Sequence, residues 1–260
     1  MKLHSHNLDY QIENKKILQK LSLSIEGPCL TAILGRNGTG KSSLLRCLSG
    51  LNEETQNQVF FEDKSLQETT LSQRAKKIAW CPAESSISFS YSVFDICLMG
   101  FYPWFQGLNQ EKAKKSVLET LAKFKIQEKK NQAYENLSSG EKKLVNLVRT
   151  LATPHEVILL DEPTAHLDLQ NTFRVFNYLK EKSRIDKNII IATHDIQQAY
   201  TYCDRILLLD QGNIKADSKV SKEKIIPSIA QAFAIQIEES KAKLIFSPML
   251  EKGFEQEFLQ

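Results

Sequence analysis

The sequence predicts an α/β fold with a mainly parallel core sheet. Three observations predict it. Short apolar runs recur at Leu30 to Leu34, Val157 to Leu160 and Asn188 to Thr193. Each gives way to a stretch of helical periodicity, and the three together alternate strand with helix along the chain. The 260 residues, against about 150 per domain, allow one large domain or a domain with a subdomain. A composition 42% hydrophobic and 25% charged, with ten Gly and seven Pro, excludes collagen-like, low-complexity and largely disordered chains.

From the N-terminus, Leu3 to Ile25 reads as two strands around the polar turn Glu13, Asn14, Lys15, Lys16. Leu30 to Leu34 is a short strand, and the residues from Ser43 to Leu48 form a helix ending at Gly50. Gln110 to Lys130 places Val117, Leu118, Leu121 and Phe124 on one helical face, and its lysines read as a solvated face. A helix from Glu141 to Ala152 stops before Pro154 and is followed by the strand at Val157 to Leu160. A helix from Asn171 to about Ser183, a strand from Asn188 to Thr193 and a helix from Ile196 to Cys203 continue the alternation. Arg205 to Leu209 and Asn213 to Ala216, joined across Gln211 and Gly212, make a closing hairpin. The last thirty or so residues carry no clear pattern.

Several classes of function are disfavoured at once. Thirty-four basic against thirty-one acidic residues leave a net charge of +3, too near balance to suggest a nucleic-acid binder. The five cysteines, at 29, 47, 81, 97 and 203, contain no C-x-x-C pair, so neither a disulfide framework nor a zinc site is expected and a reducing compartment fits. Met1 to Tyr10 lacks the apolar core of a secretory signal. No stretch reaches the ~20 apolar residues of a membrane helix, because Asp95, Gly100 and Pro103 interrupt the most apolar region, Val93 to Phe105. Any membrane role is therefore expected to be peripheral.

The chemistry is carried by strand ends. Gly35, Arg36, Asn37, Gly38, Thr39, Gly40, Lys41 and Ser42 spell G-x-x-x-x-G-K-S between a strand and a helix. Glycines at those positions let backbone N–H groups reach phosphate oxygens while the helix points its positive end at them. Lys41 is placed to reach the β- and γ-phosphates and Ser42 to ligate Mg²⁺. Val157 to Leu160 leads into Asp161 and Glu162 at the carboxyl edge of the sheet, where open α/β sheets bind ligands. Asp161 can hold Mg²⁺ through water, which leaves Glu162 free as general base in phosphoanhydride hydrolysis. Ser138 and Glu141 form a capping box that opens a helix with free N–H groups.

With these motifs in this order, the chain resembles the nucleotide-binding subunit of an ATP-binding cassette (ABC) transporter from about Leu3 to Asp217. The resemblance implies the P-loop NTPase fold of an ABC ATPase: a mainly parallel core sheet, an N-terminal antiparallel β-subdomain and an inserted α-helical subdomain. The domain would span 1–220, with the insertion at about 85–155 and a C-terminal extension, 221–260, of unassigned role. Leu137-Ser138-Ser139-Gly140-Glu141 stands where the family has its LSGGQ-type signature, which meets the γ-phosphate held by a second subunit. ATP and Mg²⁺ are thus expected in a head-to-tail homodimer. Ser43 joins the phosphate loop, Ala165-His166-Leu167-Asp168 resembles the D-loop, and His194 matches the switch histidine, catalytic with Glu162.

Three positions depart from the family pattern. Cys81-Pro82-Ala83 has no glutamine where the family's side chain links Mg²⁺ to its membrane partner, and Glu84 is adjacent. Ser139 replaces a signature glycine and would either crowd the phosphate or add a hydroxyl donor. The aromatic that stacks adenine aligns with Ile12, with Tyr10 two residues earlier on the same strand face.

The stretch from Val93 to Trp104 resembles the V-x-D-x-x-x-x-G-R-x-P-[HY] segment of cassettes that energise uptake of ferric siderophores, haem and cobalamin, with Phe101 in place of the arginine. Phe94, Met99, Phe101, Tyr102 and Trp104 would give it an adaptable apolar contact surface. The expected protein is therefore an ATPase at the cytoplasmic face of the cell membrane, working through separate integral membrane permease subunits and an extracytoplasmic substrate-binding protein. The alternatives are a soluble non-transport cassette ATPase, such as the iron–sulfur assembly type, and an ATP-binding subunit that hydrolyses weakly.

Overall fold

The computed structural model describes residues 2–84, 90–105, 107, 109–219, 221–240 and 243–248. Residues 85–89 of the expected insertion and residues 241–242 and 249–260 of the expected C-terminal extension lie outside these.

Strands β1 (Lys2–Ile12) and β2 (Lys15–Glu26) form the expected hairpin, turning at Glu13, whose φ is 53°. Strand β3 (Cys29–Leu34) runs into the glycine loop and helix α1 (Lys41–Leu48). Then follow β4 (Val59–Phe61), β5 (Lys64–Ser65), α2 (Leu71–Lys77) and β6 (Ile78–Cys81). The helical insertion supplies α3 (Val93–Met99), α4 (Gln110–Lys123) and α5 (Ser139–Leu151). The chain returns through β7 (Val157–Asp161), α6 (Leu169–Ile185), β8 (Asn188–Thr193) and α7 (Ile196–Tyr202). It continues with the hairpin β9 (Arg205–Asp210) and β10 (Asn213–Asp217), then α8 (Ile226–Phe233) and the pair β11 (Ile235–Ser240) and β12 (Lys243–Pro248).

The core sheet has the order β10-β9-β3-β8-β7-β6, parallel throughout except for β10 against β9. The sheet is covered on both sides, which is why its strands read as unbroken apolar runs. Leu30, Leu34, Ile158, Leu160, Ile189 and Ile191 face the core that the helical insertion shares. Ile33, Val157, Leu159 and Ile190 face the opposite core, with Leu44, Leu45 and Leu48 of α1 and the N-terminal antiparallel sheet β2-β1-β4-β5.

Several helix boundaries differ from the expectation: α1 begins at Lys41 and α5 at Ser139, each two residues before the expected start. Helix α4 stops at Lys123, since Lys125 takes φ 55°. Its buried face is completed by Ala113 and Thr120, while Leu118 is half-buried. Helix α6 begins at Leu169 because the Asp168 side chain accepts from the Asn171 N–H at 2.7 Å and caps it. Beyond residue 220, Ile225 and Ile229 are buried in the same core as the insertion, so α8 packs as part of that core.

Candidate functional site

Pairing of β3 with β8 ends at Leu34 opposite Thr193, and the Gly35 N–H still donates to the Thr193 carbonyl at 3.3 Å. The loop then turns through Gly38 at φ 81° and Gly40 at φ 102°, the left-handed residue that opens α1. The first amides of a helix have no partner within it. Here they face a cavity of about 390 Å³ lined by Asn37, Gly38, Gly40, Lys41, Ser42 and Ser43, with Lys15, Ile17 and Glu162 on the other walls. Gly35, Arg36 and Thr39 do not line it. The carbonyls of Gly35 and Arg36 instead accept from Lys41 Nζ at 2.8 and 3.1 Å. Burial lowers the Lys41 pKa, and the nearby Glu162 and Asp161 oppose that shift.

Asp161, the last residue of β7, is 3% exposed, and its Oδ1 is buried without a hydrogen-bond partner. Burial raises its pKa, against a hydrogen bond with the Ser42 side chain that lowers it. A buried carboxylate oxygen with spare capacity beside a hydroxyl is a donor pair that suits a hard cation such as Mg²⁺. Glu162 leaves the strand through a left-handed turn, φ 43°, with its N–H donating to the Ala192 carbonyl at 3.0 Å. Such backbone is costly outside glycine and gathers at functional sites. It brings Glu162 Oε1 to 2.9 Å from His194 Nδ1, at the end of β8, and 4.0 Å from Lys41 Nζ. The phosphate loop, Asp161, Glu162 and His194 are thus one constellation able to bind a phosphoanhydride and activate water beside it.

The signature residues stand apart from that cavity. The capping box is formed: Ser138 Oγ accepts from the Glu141 N–H, and Glu141 accepts from the Ser138 N–H at 2.9 Å. Lys129 pairs with Glu141 at 2.5 Å, and its hydrogen bond is the main reason the Glu141 carboxyl pKa is lowered. Ser138 and Ser139 are exposed, and neither they, Gly140 nor Glu141 line that cavity.

Tyr10 and Ile12 lie outside the lining of this cavity: Tyr10 packs on the core shared with the N-terminal sheet, and Ile12 is 48% exposed beside the turn. The first residues of β2, Lys15 and Ile17, take that wall. The sequence does not single them out, because Lys15 falls in the polar turn and Ile17 inside the strand that follows. On the insertion, Phe101 is 6% exposed and belongs to the core, and Trp104 packs edge-on to His155 at 4.5 Å. The exposed apolar surface includes Met99, Tyr102 and Phe105, which with Leu98 and the edge of Phe101 line a groove of about 350 Å³ between Asp95 and Lys114.

Comparison with known proteins gives the family. The ABC transporter family profile matches residues 18–165, more than half of the chain. A hemin import ATP-binding protein, HmuV, of Shewanella denitrificans is 33% identical over 218 residues, covering 82% of this chain and 85% of that protein. Among solved structures, cbiO1 of Clostridium perfringens, part of the ABC transporter complex cbiONQ, is 27% identical with a TM-score of 0.70, covering 88% of this chain and 94% of that one. An ATP-binding subunit of an ABC transporter superposes with a TM-score of 0.78 over 89% of this chain and 95% of its own, at 18% identity, and speaks for the fold alone. The chain belongs to the ABC transporter family and is an ATP-binding ATPase subunit of it.

Proposed function

We propose that this ATPase energises import of haem or a related metal chelate through separate membrane subunits. The observation that carries the hydrolytic part is the convergence of Lys41, Asp161, Glu162 and His194 on one glycine loop. The phosphates would lie on the amides from Gly38 to Ser43, with Lys41 exchanging its bonds to Gly35 and Arg36 for phosphate oxygens. Ser42 and Asp161 would hold Mg²⁺, which neutralises charge on the β- and γ-oxygens when bound. Glu162 takes a proton from the attacking water as its oxygen bonds to the γ-phosphorus. The bond to the β–γ bridging oxygen breaks, and ADP and phosphate leave. His194 holds the Glu162 carboxylate in place during this step.

The exposed Ser138 and Ser139 favour a homodimer in which each signature helix faces the nucleotide of the other copy. The groove at Met99, Tyr102 and Phe105 favours docking of an apolar permease segment, and among the described residues no helix is long and apolar enough to cross a membrane. The HmuV name supports haem as cargo, with ferric siderophore and cobalamin as the related possibilities. Uptake of labelled haem, ferric siderophore and cobalamin is to be measured in cells lacking the chain, restored with the native sequence or with Glu162→Gln. Loss of haem entry rescued only by the native chain is expected. Normal entry of all three would overturn the import reading.

A further inference from the structure

Lys143 lies on α5 two residues past the capping box and is 7% exposed, although it is a lysine with no carboxylate within ion-pair distance among the described residues. A buried ammonium is costly unless its protons are used. Its Nζ donates to the Ala83 carbonyl at 2.9 Å and to the Asp161 carbonyl at 3.2 Å. The position of those two acceptors matters. Strands β6 and β7 pair as far as Cys81 opposite Leu160, and Ala83 and Asp161 lie just past that last rung. Lys143 therefore bridges the two strands where their own ladder has stopped.

The Asp161 carbonyl belongs to the same peptide unit as the Glu162 N–H, which donates to Ala192. That unit is gripped from both sides, by Lys143 on its oxygen and by β8 on its nitrogen. It is also the unit that leads directly into the left-handed turn at Glu162. Rotation of its plane would change φ at Glu162 and carry the carboxylate away from His194.

We propose that Lys143 is a positioning residue for hydrolysis: by clamping the Asp161–Glu162 peptide to the loop at Ala83, it sets the direction of the Glu162 carboxylate and ties it to the helix that begins with the signature. This rests on Glu162 acting as the base. The Ala83 methyl group cannot hydrogen-bond, so the loop's link to the carboxylates runs through its backbone and this lysine.

The test uses purified full-length chain with Lys143→Met, which keeps the length and removes the donors, and Lys143→Gln, which keeps a donor without the charge. With Lys143→Met, kcat for phosphate release is expected to fall about tenfold to a hundredfold while KM for ATP changes less than about threefold. Lys143→Gln is expected to lie between Lys143→Met and the native chain. Hydrogen exchange without nucleotide gives an independent readout: the Glu162 amide should exchange about tenfold faster in Lys143→Met, while amides at the start of β7 keep their native rates. Native kcat and native Glu162 exchange in Lys143→Met would overturn the proposal, and if that variant does not fold, the same two results in Lys143→Gln would do so. Glu162→Gln is run alongside. If it hydrolyses ATP normally, the general-base reading falls and the positioning role falls with it; if it is inactive while Lys143→Met keeps native kcat, only the role of Lys143 fails.

Discussion

The end of β3 and the end of β7 meet at one cavity, yet they are held in opposite ways. At β3 the chemistry is in the backbone, and the conformation is set locally by the glycines of one loop and by Lys41, six residues from the carbonyl it anchors. At β7 the chemistry is in the side chains of Asp161 and Glu162, and their placement depends on Ala192, His194 and Lys143, all from other elements. Locally determined sites leave a pattern of fixed spacing in the sequence. Sites held from a distance show their residue types but not their supports.

The largest expected effect separates the two ends by function. Glu162→Gln removes the proposed proton acceptor while keeping the side chain's shape, so phosphate release should fall by about 10²- to 10⁴-fold. Binding of a fluorescent ATP analogue should stay within about threefold of native, because the phosphate loop is untouched. An equal loss of binding would mean that the two ends are not separable.

Gly35→Ala makes the converse change. A Cβ there would sit 2.4 Å from the Leu209 carbonyl oxygen and 2.7 Å from Thr39 Oγ1, and the first of these is backbone that cannot swing aside. Displacement of the loop should cost about 1–3 kcal/mol in stability and weaken nucleotide binding, read by thermal melting and by analogue titration. Unchanged binding would show that the loop tolerates movement at its root.

The same contrast explains what could be read in advance. The hairpin β1–β2, strands β3, β7 and β8, helices α1 and α5, and the β9–β10 hairpin all follow from apolar runs, caps or turn residues close at hand. The region from β4 to β6 does not. Strands β4 and β5 are three and two residues long, α2 buries none of its residues and so shows no apolar stripe, and β6 is four residues stopped by Pro82. In the site, the loop and the Asp-Glu pair were legible as motifs. Lys15 and Ile17 were not, because only the packing of β2 against the loop brings them to the cavity. Lys143 reads as one more surface lysine beside Lys142 until the fold buries it.

The start of β7 offers a third way to test remote support. His155 precedes it, is 5% exposed, and lies between Thr153 Oγ1 at 2.5 Å and the Ala75 carbonyl at 2.9 Å, while its own carbonyl accepts from Lys187 Nζ at 2.6 Å. Burial lowers its pKa to about 4. Its folded value is thus below the unfolded one of about 6.5, so the unfolded chain takes up the proton first as pH falls. The stabilisation is complete above the unfolded value and is lost progressively down to the folded one. Between pH 7 and pH 5 this group should account for about 2 kcal/mol of lost stability. Melting curves of the native chain and of His155→Gln at the two pH values would measure it, and an identical pH dependence in both would exclude His155 as its source.

Ser138→Ala has the smallest expected effect and the one nearest to pure locality. The capping bond from the Glu141 N–H to Ser138 Oγ is internal to four residues, so its loss should cost about 1 kcal/mol. The Ser138 N–H keeps its bond to the Glu141 carboxylate, which Lys129 also holds. Neither residue reaches the cavity of its own chain. Nucleotide binding by dilute monomer should therefore be unchanged, while hydrolysis at concentrations that favour dimers should fall. A loss of monomer binding would show that the signature helix is coupled to its own glycine loop, and the division between locally and remotely held ends would then extend through α5 to both.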